Sequence, residues 1–436
     1  MPNLSDRIKD YAKKNPVRFH MPGHKGLFDP LDVTELFFTD NLYAPDNNLR
    51  LVLELEERAS RVFFKRDNHI KTFISCGGAT LCIQAALLAI TRENPINAKK
   101  YIICARSCHT SFVNAAALLE IEPIWVYHNE ELSEEIREAL EVSAGKNIIA
   151  VFITSPDYYG KMRDIREISE VCKKYNAPLI TDNSHGSHLA FHSDLHPINR
   201  GADISVDSVH KTLPALTGAA LIHSGLKYDM RGAMRVFGST SPSFLILSSI
   251  EKMLGFLEMR GRTEHARLLD DITALKNSSP EYFPENRCLT DPYRIILSCE
   301  GMGEKLYYFL FERGITCEFY EKDIVVIIPS VFNKSKDFKL LASALRTFSR
   351  NGKITRQKKQ PGKFHVSKKP EPVLTLGSAA AKPRESVKTG AAAGRICAEP
   401  VFAYPPGIPV ILPGELIDTE ICEIIKNLRD EVYVIK

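Results

Sequence analysis

The sequence predicts an α/β protein: a large domain with a mostly parallel, seven-stranded sheet between helices, then a smaller C-terminal α+β domain. Three observations predict this. Short β-rich runs alternate with helical patterns from about residue 70 to 225. A second set of short runs follows a long helical segment, Pro242 to Glu258. Hydrophobic residues make up 44% and charged residues 25%, which supplies a large core and excludes wholesale disorder.

The elements read in order as follows. Residues 1–50 form an arm, with a helical pattern from Leu4 to Tyr11 and then loops rich in Pro, Gly and Asp. Residues 51–288 form the large domain. Its strands are expected at Lys71–Ser75, Tyr101–Cys104, Pro123–Tyr127, Asn147–Ile153, Pro178–Thr181, Ile204–Val206 and Ala219–His223. Helices between them start near Ala79, Thr110, Leu132 and Asp164. The last strand has little room for a crossover helix before it, so it is expected to run antiparallel. Residues 289–436 form the small domain, with elements at Arg294–Ser298, Lys305–Arg313, Ile315–Tyr320, Ile324–Ile328 and Phe338–Ser349, and a last helix from Leu416 to Leu428.

Charge and cysteine usage narrow the function. The net charge is +4, yet Lys353 to Arg395 carries an excess of +9, leaving −5 for the rest. The folded body is mildly acidic and is not built to hold nucleic acid; residues 352–394 read as a basic, partly flexible stretch. No run of eighteen apolar residues exists, and the polar start does not resemble a secretory signal. The ten cysteines form no C-x-x-C pair, which points to a reduced cytoplasm. His20 and His24 are four apart but straddle Pro22-Gly23, so helical i, i+4 metal geometry fails, and no metal is expected.

Four strand ends carry residue types suited to one chemistry. Lys211 in Ser208-Val209-His210-Lys211-Thr212-Leu213 follows a strand and suits a lysine that bonds a carbonyl carbon, its pKa lowered in a partly dry site. Ser208 and His210 offer donors to a phosphate. Asp182 ends an apolar strand, where a carboxylate reaches the ligand crevice and can pair with a protonated pyridine nitrogen. His185, three residues on, can reach a phenolic oxygen. Ile74 to Leu81 reads strand, glycines, helix, so Gly78, Ala79 and Thr80 open a phosphate-binding turn. His109, just past another strand, can lie flat on a planar ring. Each feature alone has a plain structural counterpart: a surface lysine, a capping aspartate, an ordinary turn, an N-cap. Their order in successive α/β units favours the chemical reading.

The stretches HMPGHKG (from His20), DVTEL with Asp40-Asn41-Leu42, GGATLCIQA, SCHTS, SPDYYGKMRDI, TDNSHGSH, SVHKTLPALTG, STSPS and AYPPGIPVILPGE resemble the prokaryotic ornithine/lysine/arginine decarboxylases, in family order from His20 to Glu415. The resemblance implies the type I fold of pyridoxal 5′-phosphate (PLP) enzymes. It implies decarboxylation of a basic amino acid to its amine, as in polyamine biosynthesis, in a cytoplasmic homodimer or larger homo-oligomer with shared active sites. By the same resemblance Lys211 bonds the cofactor aldehyde, Asp182 keeps the ring nitrogen protonated, His109 stacks on the ring, and Ser208 and His210 contact the phosphate. Ser239, in the STSPS segment, approaches the partner subunit's phosphate, and Glu399 lies at the substrate end of the pocket. Two departures stand out: Gly78 and Ala79 occupy positions where the family usually has hydroxyls, and Asn183 stands where it often has an acid. The receiver-like N-terminal wing domain of the long members is expected to be missing. Other type I activities, such as an aminotransferase, racemase or carbon–carbon lyase, are the alternative, since fold alone does not choose among them. A non-enzymatic binding role fits less well, because all four cofactor positions hold usable residues.

Overall fold

The computed structural model describes residues 4–33, 47–64, 69–127, 131–192, 195–284, 288–351, 369–403 and 408–436. Asp40-Asn41-Leu42, Tyr404 to Gly407 and the first part of the basic stretch lie outside these residues.

The described chain opens with α1 (Leu4–Lys14) and α2 (Asn47–Phe63). The amphipathic α2 buries Leu55, Ala59, Val62 and Phe63, which binds it to the body as a helix. The sheet follows, with β1 (Lys71–Ser75), β2 (Lys100–Ala105), β3 (Ile121–Val126), β4 (Ile148–Thr154), β5 (Leu179–Asp182), β6 (Ile204–Asp207) and β7 (Ala220–Ser224). Between them run α3 (Gly78–Arg92), α4 (Thr110–Leu118), α5 (Leu132–Val142), α6 (Ile165–Lys174) and the single turn α7 (Val209–Thr212). The strand order is β1-β7-β6-β5-β4-β2-β3, with β7 antiparallel to both neighbours, as its short connection predicts. β5 and β6 are buried along their whole length, because helices cover both faces of a parallel sheet. On one face Ile83, Leu87 and Phe112 from α3 and α4 pack on Phe152 and Ile180. On the other, Ile136 and Ile168 from α5 and α6 pack on Val151 and Leu179.

After α8 (Met230–Phe237), α9 (Phe244–Phe256) runs through a π turn into α10 (Arg262–Ser278). Leu268, Ile272 and Leu275 of α10 join the core of the small sheet β8 (Ile295–Ser298), β10 (Ile324–Ile327) and β9 (Phe319–Tyr320), which is backed by α11 (Gly303–Phe311) and α12 (Ser335–Asn351). The strand expected over 315–320 is only two residues long, since Phe319 and Tyr320 alone pair with β10. The described half of the basic stretch is ordered: β11 (Arg384–Lys388) pairs with the last strand, β14 (Glu431–Ile435). The hairpin β12 (Val401–Ala403) and β13 (Ile408–Ile411) and the helix α13 (Thr419–Lys426) share their core. Asp418 caps that helix through Ile421 N–H, so it begins later than Leu416. All ten cysteines are free thiols.

One buried ion pair joins the C-terminal unit to the main sheet. Arg106, just past β2, grips Glu415 through two parallel bonds, Nη1 to Oε1 at 2.6 Å and Nη2 to Oε2 at 2.7 Å. Glu415 Oε2 also accepts Leu412 N–H at 2.8 Å, and the guanidinium lies 5.0 Å from the Trp125 ring centroid. A fork this well satisfied tolerates burial, but either partner alone does not. Glu415→Gln should cost about 3–5 kcal/mol of stability in urea unfolding; a loss below about 1 kcal/mol would show that the pair does not hold the unit.

Candidate active site

β1, β2, β4, β5 and β6 point the same way, because β1 is antiparallel to β7 and β7 antiparallel to β6. Their carboxyl ends therefore share one edge, where ligands bind in open α/β sheets. Thr154 pairs with Asp182 and Asp182 with Val206, so β4, β5 and β6 end in register.

Most of the expected residues lie at this edge. Asp182 is buried at the end of β5, and its described hydrogen bonds both go to Oδ1, from Ser184 N (3.1 Å) and Ser184 Oγ (2.5 Å). Lys211 sits on α7, with Nζ 3.2 Å from His185 Nε2. Desolvation lowers the Lys211 pKa, with a further push from Arg294, against the opposing pull of Asp182 and Glu318. His185 is held well below its ordinary value, first by burial and then by Lys211 and Arg294, so it stays neutral at pH 7. His109 is the N-cap of α4 and its Nδ1 accepts Ser111 N–H at 3.2 Å. Its ring is open to the crevice, yet protein atoms around it lower its pKa by desolvation, with Asp182 and Lys211 both acting on it. Lys211, His185, Asp182 and His109 are thus brought together.

The side expected to receive a phosphate is equally ordered. Gly77 caps α3 without any side-chain bond, and Gly78 takes φ +70, where a side chain would be strained. A Cβ on Gly78 would meet nothing within 4 Å, so open space lies beside the first turn. Gly78 N–H goes to Gly218 O at 2.9 Å; Ala79 and the exposed Thr80 follow in the first turn. His210 Nδ1 donates to Ala219 O at 2.9 Å, which leaves Nε2 for a ligand, and the Ser208 hydroxyl makes no capping bond.

Two expected residues stand apart. Glu399 gives its carboxylate to Arg429 Nη1 at 2.6 Å in the C-terminal unit. Ser239 is exposed and accepts Ser241 N–H in the loop between α8 and α9. That loop packs near the start of its own α3, where Cys76 Sγ reaches Ser243 O at 3.7 Å. His20 and His24 have separate partners, Tyr11 Oη (2.5 Å) and Asp32 Oδ2 (3.1 Å).

Sequence reasoning missed three residues. Tyr158 sets its ring edge-on to His185, 5.1 Å between centroids, and donates to Glu318 Oε1 at 2.5 Å. Arg294 is buried, donates through Nη2 to His185 O at 3.4 Å, and finds no partner for Nε or Nη1 among the described residues. Tyr158 lies in SPDYYGKMRDI, a stretch that carried the resemblance; Arg294 and Glu318 had no signal, because the small sheet brings them here from over 80 residues away in sequence.

These side chains fit PLP: a lysine of lowered pKa, an aspartate with one oxygen unengaged by the described hydrogen bonds, and a glycine-lined helix start with space before it. A seven-stranded sheet carrying that set on its carboxyl edge defines the type I class of PLP-dependent enzymes. The chain belongs to the Orn/Lys/Arg decarboxylase family, matching its major domain over residues 2–288 and its C-terminal domain over residues 360–431; it is a PLP-dependent decarboxylase. It is 28% identical to the protein YaaO of Bacillus subtilis over 96% of this chain and 92% of that relative. It is 26% identical to the arginine decarboxylase of B. subtilis over 97% of this chain and 92% of that relative. The solved structure of the constitutive lysine decarboxylase of Escherichia coli matches with a TM-score of 0.77 at 17% identity, over 100% of this chain and 82% of that one.

Beneath the crevice floor lie His196, Asp207 and His223, all fully buried, with ligating atoms within 4.8 Å of one another. Ile198 N–H points at His196 Nδ1, so Nε2 carries a proton and donates to Asp207 Oδ2 at 3.0 Å, the pattern of a hydrogen-bonded carboxylate. Burial lowers His223 to about 3. A histidine depressed below its unfolded value near 6.5 binds fewer protons when folded, so its stability contribution is lost as pH falls below about 6.5 towards 3. Between about pH 6 and 4 the wild-type stability should fall more steeply than that of His223→Gln by roughly 1.4 kcal/mol per pH unit. Parallel slopes in urea unfolding would show that His223 is not buried in its neutral form.

Proposed function

We propose that the protein decarboxylates a basic amino acid, arginine, lysine or ornithine, to the corresponding amine and carbon dioxide. The observation that carries this reading is Lys211 Nζ set 3.2 Å from the neutral His185, with Asp182 on the adjacent strand end. Lys211 would hold the PLP aldehyde carbon, Asp182 the ring nitrogen, His185 the phenolic oxygen and His109 the ring face. Gly78, Ala79, Thr80, Ser208 and His210 would hold the phosphate. When bound, PLP accepts the electron pair released as the carboxylate leaves.

The protein's own contribution is orientation and proton placement. Asp182 supplies the negative charge that keeps a ring nitrogen cationic. Lys211 would supply the proton that replaces the departing carboxylate at the substrate Cα. Its depressed pKa brings that exchange closer to neutral pH. Arg294 offers two donors without a partner among the described residues, which supports a role in receiving the substrate carboxylate. A carboxylate held there is held before the reaction, so Arg294 acts on KM rather than kcat. Glu318, bonded to Tyr158 and exposed, is the acid we assign to the cationic end of the substrate, the role expected of Glu399. Val17, Phe19, Leu27 and Phe28 are exposed on the arm, which supports a homodimer in which Ser239 reaches the partner's phosphate. A reaction yielding polyamine precursors in the cytoplasm accords with this reading, and no helix among the described residues is long and apolar enough to cross a membrane.

Product analysis tests the proposal: purified protein given PLP and each basic amino acid in turn should release carbon dioxide and one amine in equal amounts. Keto acid without carbon dioxide would overturn it. In the same assay Arg294→Ala should raise KM about tenfold or more with kcat within about threefold; an unchanged KM removes Arg294 from substrate binding.

A further inference from the structure

The ends of β5 and β6 are joined by more than the sheet ladder. Asn183, the residue after Asp182, donates its backbone N–H to Val206 O at 2.9 Å. Its side chain donates Nδ2 to Asp207 Oδ1 at 3.0 Å. Asp207, four residues before Lys211, also receives Ser205 Oγ at 2.8 Å on Oδ1 and His196 Nε2 at 3.0 Å on Oδ2. Both side chains are fully buried. Burial alone would raise the Asp207 carboxyl, but the field and hydrogen bond of His196, with Asn183's bond, hold it below its ordinary range. An ionised carboxylate is therefore fixed directly under the turn that carries Lys211, and its amide partner is covalently next to Asp182.

The geometry admits one charge at this point. Two carboxylates 3.0 Å apart in a dry site cannot both ionise, and two amides would leave His196 and Ser205 without their charged acceptor. The amide orientation is fixed as well: turning Asn183 over would set its oxygen against Asp207. Gly186 closes the other side, since a Cβ there would lie 2.1 Å from Asn183 Oδ1. Neither side chain of the pair hydrogen-bonds the Lys211 amine or the Asp182 carboxylate, so the pair acts by setting the distance and angle between the two strand ends.

We propose that Asn183 and Asp207 form a positioning pair, one acid and one amide, that holds the Asp182 and Lys211 strand ends in the relation a single cofactor ring requires. This rests on the assignment of Lys211 and Asp182 to that ring. A swap tests it. Asn183→Asp, Asp207→Asn and the double variant N183D/D207N are compared with wild type by unfolding temperature, PLP dissociation constant, visible absorption of the cofactor complex and turnover. In folded N183D, PLP affinity should fall about tenfold or more and the absorption band should shift, because a second carboxyl beside Asp207 either holds a proton in place of the amide or ionises only by parting the strand ends. The double variant, which restores a single charge but moves it away from His196 and Ser205, should recover part of that loss. The proposal is overturned if the double variant binds PLP no better than N183D. It is also overturned if N183D lowers only the unfolding temperature while affinity and band stay as in wild type. Should N183D fail to fold, Asn183→Ala removes the donor without adding charge, and wild-type affinity and band in that variant would overturn the pair. If wild type binds no PLP at all, it is the Lys211 assignment that fails, which separates the two readings.

Discussion

Asp182 lies opposite Val206 on neighbouring parallel strands, and that register governs the crevice. Side chains alternate across a strand, so a slip of one residue would turn Asp182 to the other face of the sheet and replace it with Thr181 or Asn183. Both strands are buried along their length, which makes such a slip expensive in lost apolar contact. The polar atoms at the strand ends then settle into one arrangement: Ser184 on Asp182, Asn183 on Asp207, His196 beneath. The position of Lys211 relative to Asp182 is set by this frame.

Burial sets the charge state of the site. Lys211 is surrounded closely enough that its ammonium is disfavoured, yet Asp182 and Glu318 oppose a complete loss of charge. His185 is forced neutral by the same desolvation and by two neighbouring cations. Arg294 is pressed the same way, with its own pKa lowered first by burial. A buried guanidinium with two donors unpaired among the described residues is costly, by about 1–3 kcal/mol for each unsatisfied group. The Arg106–Glu415 fork presents the contrasting case: a buried pair fully satisfied, tying the C-terminal unit to the strand that leads to His109.

Much of this was legible in the sequence, for a physical reason. Strands buried on both faces are continuous apolar runs, and the residues that leave them are abruptly polar, so Asp182, Lys211 and His109 mark their own strand ends. The antiparallel β7 followed from chain length alone. Residues set by tertiary packing were not legible. Glu399 has the right charge and a suggestive place in the chain, but Arg429, thirty residues on, takes its carboxylate. Glu318 and Arg294 reach the crevice because α10 and the small sheet share a core, which no local pattern announces. Asn183 read as a departure from a family pattern; beside Asp207 it is the residue type the neighbouring carboxylate requires.

The account's central claim is covalent and can be tested on the intact protein. Borohydride reduction of the PLP-saturated enzyme, followed by peptide mapping, should place a single pyridoxyl group on Lys211 within SVHKTL. A label on another lysine, or none in cofactor-saturated protein, would contradict the account.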